Sequence, residues 1–136
     1  MLKHLMAMAV VMSVAPTSLW AESATWMKVA DAVASTVGQA EECFLRGKGV
    51  EAKRLATEAY FLHFESGELE AAIRTGRGSR RVQEVEKKFA RLRTAIGSGD
   101  RAAVGTLVAE IQADVRTEAA ALDAVGYRLP PPPVTE

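Results

Sequence analysis

Glycine divides this chain into blocks of helical apolar spacing, and no stretch shows the alternation of a strand. The first block carries Trp26, Val29, Ala30, Val33, Val37, Ala40 and Phe44 and stops before Gly47-Lys48-Gly49. The second runs from about Glu51 to Thr75, with Leu55, Ala59, Leu62, Leu69 and Ile73 on one stripe. The third, Arg80 to Ile96, holds Val82, Val85, Phe89, Leu92 and Ile96, and Gly97-Ser98-Gly99 closes it. Asp100 is a good N-cap for the fourth, lined by Val104, Leu107, Val108, Ile111, Val115, Leu122 and Val125, and Gly126 is a natural stop. Four amphipathic helices joined by short turns predict an all-α fold, an antiparallel up-and-down four-helix bundle over residues 22–126.

The segments on either side read differently. Lys3 and His4 give a short basic start, Leu5 to Ala15 is uncharged, and Pro16-Thr17-Ser18 breaks the run before Leu19-Trp20-Ala21. That order predicts a secretory signal peptide over residues 1–21, cut after Ala21 or Ser23, and a soluble protein of the periplasm. The apolar run is too short to span a bilayer core of roughly 30 Å. At the other end, residues 127–136 form a tail in which Pro130 to Pro133 must be extended.

Composition removes several function classes. The 17 basic and 17 acidic residues balance, which argues against a nucleic-acid binder. Arg74, Arg77, Arg80 and Arg81 cluster around Gly76 and Gly78, as expected of a solvated turn between helices. Cys43 is the single cysteine, so an exported form has no internal disulfide, and without a Cys-x-x-Cys-His motif there is no covalent haem. A single histidine, His63, follows the leader, and no nucleophile elbow occurs, so no catalytic triad is assembled and no enzyme activity is expected.

Glutamates near the apolar stripes are the chemistry that remains. Glu118 falls inside the fourth stripe, between Val115 and Leu122. A glutamate in a dry core costs several kcal/mol unless it is paired, protonated or bound to a metal. Glu58 and Glu65 share one flank of the second helix, Glu41 edges the first stripe and Glu86 the third. Converging carboxylates suit hard or borderline cations such as iron, which makes Glu65, Glu118, Glu86, Glu41 and Glu58 the candidate metal ligands. The alternative is pairing with arginine, with Arg91, Arg93 and Arg116 within range. Glu-x-x-His pairs of the di-iron kind are absent.

The aromatics of the second block pose a separate question. On a regular helix Tyr60 and Phe64 lie one turn apart and face away from its stripe. Either they form an outward strip that binds a partner or second subunit, or a bend at Gly67 rotates them inward.

Tyr60-Phe61-Leu62-His63-Phe64-Glu65, followed by Glu68-Leu69-Glu70-Ala71-Ala72-Ile73, resembles a periplasmic helical domain of the bacterial high-affinity iron permease family. That domain carries Tyr-x-x-x-Phe-Glu and Glu-Ala-Ala-Ile. Val85-Glu86-Lys87-Lys88-Phe89 is similar to its Leu-Glu-x-x-Phe, and the similarity spans roughly residues 26–125. The resemblance implies an exported helical module that works in iron uptake beside a membrane iron permease, and it singles out Tyr60, Phe64, Glu65, Glu70 and Glu86. Leu62 stands where an acidic residue is usual, and no permease helices or Arg-Glu-x-x-Glu motif follow. The chain is therefore expected to act as an accessory that binds iron, or else as a non-catalytic docking bundle without metal. Carboxyl oxygens of Glu65 and Glu118 clustered without a covering arginine favour the first, and a Glu118–arginine pair with an exposed aromatic strip favours the second.

Overall fold

The computed structural model describes residues 25–134, so the expected signal peptide and its cleavage site lie outside the described residues. The described chain is all-helical: α1 (Thr25–Leu45), α2 (Gly49–Glu58), a π-helical segment (Ala59–Glu65), α3 (Leu69–Gly76), α4 (Ser79–Ser98) and α5 (Arg101–Ala124). None of these helices is long and apolar enough to cross a membrane.

Helix boundaries follow the punctuation. Asp100 accepts a hydrogen bond from the Ala103 amide at 3.1 Å and so caps α5. Gly99 ends α4 in the left-handed region (φ 71°), where a side chain would be strained.

α1 packs on α5 and α2, while α4 packs on α5, α2 and α3. Polar contacts index the α1–α5 pair: Trp26 with Asp123, Asp31 with Arg116, and Ala34 with Gln112. Lys88 meets Asp114 at 2.6 Å and Arg81 meets Glu118 at 2.9 Å across α4 and α5. The core between the helices includes Phe64, Phe89, Leu69, Ile73, Leu92 and Ile111, all fully buried. After α5, the tail is anchored at its root, where the Trp26 indole donates to the Tyr127 carbonyl at 2.8 Å. Pro130 to Pro133 are exposed.

The second block departs from expectation. A single helix from Glu51 to Thr75 is not formed; three helical pieces occupy its place. Between Ala59 and Glu65 the backbone widens to π geometry, seen where the Ser66 amide donates to the Phe61 carbonyl five residues back at 3.1 Å. Glu68 then adopts a left-handed conformation (φ 67°) and the chain re-enters α-helix at Leu69.

That wider turn reverses the facing of the aromatics. Regular 3.6-residue phasing puts Leu62 in the core and Phe64 outside, whereas Phe64 is fully buried and Leu62 is 56% exposed. Tyr60 and Phe64 therefore do not form an outward strip. They turn inward through the π segment rather than through a bend at Gly67, and both pack on Phe89, with ring centroids 5.3 and 5.5 Å away. Gly67 has its own reason to be glycine: an added Cβ would sit 2.1 Å from the His63 carbonyl oxygen and 2.7 Å from Val29.

Candidate functional site

The π segment, α3 and α4 bring together Tyr60, Glu70, Arg74, Glu86 and Arg93. On α4, Glu86, Phe89 and Arg93 share one face at three- and four-residue spacing. Phe89 supplies the floor on which Tyr60 lies, half-buried. Arg93 stacks over the Tyr60 ring at 5.8 Å, and its buried Nη1 has no hydrogen-bond partner among the described residues. From α3, one Arg74 nitrogen bonds both Glu70 and Glu86, the latter at 3.1 Å, so the two carboxylates lie against a single guanidinium.

Electrostatics follow from that crowding. Burial, together with the adjacent Glu70 carboxylate, lifts Glu86 above the ordinary carboxyl range, against the opposing pull of Arg74. Burial and the negative charges of Glu70, Glu86 and Glu65 raise the Tyr60 phenol. The hydrogen bond to Glu70 in turn strengthens the hold of Arg74 on its proton. The arrangement is a pair of carboxylates on one guanidinium, with a phenol close enough to feel their charge.

The five glutamates expected to share a metal do not meet. Among the described residues no three His, Cys, Asp or Glu side chains gather as a metal group. Glu118 is 6% exposed, as its stripe position demands, but Arg77 Nε bonds it at 2.7 Å and Arg81 Nη1 at 2.9 Å. Two arginines thus neutralise it, and they come from the α3–α4 junction rather than being Arg91, Arg93 or Arg116. Glu58 bonds Arg54 at 2.6 Å on the surface. Glu65 is exposed and Glu41 is half-buried. Only Glu86 of the five enters the cluster. Its partner Glu70 was visible through the family resemblance and not through helical phasing, because the contact joins two separate helices.

The basic cluster is also spent internally. Arg74, Arg77, Arg80 and Arg81 each pair with a glutamate, and Arg74, Arg80 and Arg81 are exposed, so the turn is solvated, as expected, and ion-paired as well. Cys43 is a half-buried free thiol on α1.

No protein-family model, characterised protein or solved structure matches this chain.

Proposed function

We propose that this chain is a non-catalytic, exported helical module that holds iron as cargo during uptake, beside a membrane iron permease. Its scaffold is read as an antiparallel up-and-down four-helix bundle whose second helix is interrupted by the π segment. Tyr60, Glu70 and Glu86 supply the oxygen donors, and Glu65 adds negative charge nearby. This set replaces Glu65, Glu118, Glu86, Glu41 and Glu58, of which only Glu86 is retained as a ligand.

The carrying observation is that Glu70 and Glu86 share the Arg74 guanidinium with the Tyr60 phenol in their field, three of the residues singled out by the resemblance to the periplasmic domain of iron permeases. Of the three, Tyr60 lies on a π-helical segment, a backbone form frequently found at functional sites. Two carboxylates and a phenol are donors that a hard cation prefers. Arg74, with its side chain 47% exposed, can swing into water as a cation of higher charge takes its place.

Equilibrium dialysis of chelator-stripped protein against ferrous and ferric iron tests the reading. Binding is expected, with a loss of tenfold or more in Glu70→Gln/Glu86→Gln. Glu118→Gln is expected to bind as the wild type does, because its arginines already occupy that carboxylate. No iron binding, or binding untouched by the double substitution, sinks the proposal.

A second reading has its own observation. Phe61 and Leu62 are large, apolar and more than half exposed on the π segment, as on a bundle that docks to a partner without metal. Iron binding abolished by Glu70→Gln/Glu86→Gln but indifferent to Phe61→Ser/Leu62→Ser separates the two.

A further inference from the structure

We propose that Phe61 and Leu62 seat in the α4–α5 groove of a second copy of this chain, an association that does not depend on any bound cation. Phe61 and Leu62 are 52% and 56% exposed, side by side where the wide turn drives them outward. Glu65 and Glu68 next to them are exposed, and neither has an ion pair among the described residues. The segment is therefore an apolar plug with an acidic rim.

The complement lies elsewhere on the same molecule. Between the end of α4 and the start of α5 a groove of about 410 Å³ is lined by Ala90, Ala95, Ala103 and Leu107, with Thr94, Ser98 and Asp100 also on its walls, the Asp100 carboxylate being spent on capping α5. Small alanines keep it open, and it has room for a ring and a leucine side chain. Arg91 lines the groove, Lys87 precedes it by one turn and Arg101 begins α5. All three are exposed and unpaired among the described residues. Plug and groove thus match in polarity and carry opposite unspent charges, which is the complementarity a specific contact uses. Because plug and groove are different patches, a reciprocal pair of contacts closes a two-fold, isologous dimer, whereas a single contact is heterologous and extends a chain. So small a contact gives weak association, on the order of 10–100 µM.

Sedimentation of the purified protein up to about 1 mM, with chelator present, is the test. The apparent mass is expected to rise with concentration. Phe61→Ser/Leu62→Ser and, separately, Glu65→Lys/Glu68→Lys are expected to weaken association at least tenfold, with helical content unchanged by circular dichroism. An equimolar mixture of Glu65→Lys/Glu68→Lys with Lys87→Glu/Arg91→Glu is expected to associate again. A wild type that stays monomeric, or one whose association survives Phe61→Ser/Leu62→Ser, overturns the proposal. A charge-reversed mixture that fails to associate removes the groove as the seat and overturns it as well.

Discussion

Arg77, the residue just past the end of α3, donates its Nε–H to Glu118 Oε2 at 2.7 Å and so fixes the α3–α4 turn to α5. Arg81 in the first turn of α4 takes the other oxygen. Removing both arginines strands a carboxylate that is only 6% exposed. Arg77→Ala/Arg81→Ala is therefore expected to cost about 3 kcal/mol in urea unfolding. Glu118→Gln is expected to cost less, about 1 kcal/mol, because the arginines can reach water and the amide still accepts a hydrogen bond. Equal losses in the two variants would count against an ion-paired core glutamate.

The aromatic inversion gives a second expectation. Phe64→Ala opens a hole beside Phe89 and should destabilise by about 3–5 kcal/mol. Phe61→Ala, three residues earlier, should stay within about 0.5 kcal/mol of the wild type in thermal unfolding. The reverse order would mean that the segment is a regular helix.

Where the π segment hands over to α3, two neighbouring substitutions should act in opposite directions. Gly67→Ala places a methyl against the His63 carbonyl and Val29, and about 2–3 kcal/mol of overpacking is expected. Glu68→Gly relieves a left-handed backbone and should stabilise by up to about 1 kcal/mol. Chemical denaturation of both variants reads the sign directly.

Glu86 gives the fold a pH dependence of known sign. Burial and Glu70 raise its folded-state pKa above the ordinary value of 4.5, so protonation favours the folded form. Its contribution is fully present below that ordinary value and is lost as pH rises through the folded value. Unfolding of wild type and Glu86→Gln, compared from about pH 4 to about pH 7, should show the wild type losing ground to the variant as pH rises. Parallel curves would mean that Glu86 titrates normally.

Much of this was legible in the sequence, and the failures have two main causes. Apolar spacing marks the core of α1, α4 and α5, save Val125, which lies past the end of α5 and is 76% exposed; Asp100 marks a cap, and Glu118 is marked as buried. Each of those follows from the regular 3.6-residue repeat or from local cap chemistry. The π segment does not, since one wide turn shifts the phase of everything on it: Leu62 moved from stripe to solvent, and Phe64 moved from solvent to core. Partners across helices were equally hidden. Glu118 found Arg77 and Arg81, and Glu86 found Glu70 and Arg74, through packing that no single-helix projection contains.

The Trp26–Tyr127 hydrogen bond has a mechanical consequence. It holds the start of α1 and the exit of α5 at one pole, where Asp123 also accepts from the Trp26 and Met27 amides. Tension applied between residues 26 and 127 would load these few bonds before any others. The α1–α5 pair would then peel open turn by turn, Asp31–Arg116 next and Gln112–Ala34 after it, rather than shear as a block. Pulled apart from residues 26 and 127, the α1–α5 pair would act as a zipper and yield early, its bonds loaded one after another instead of together.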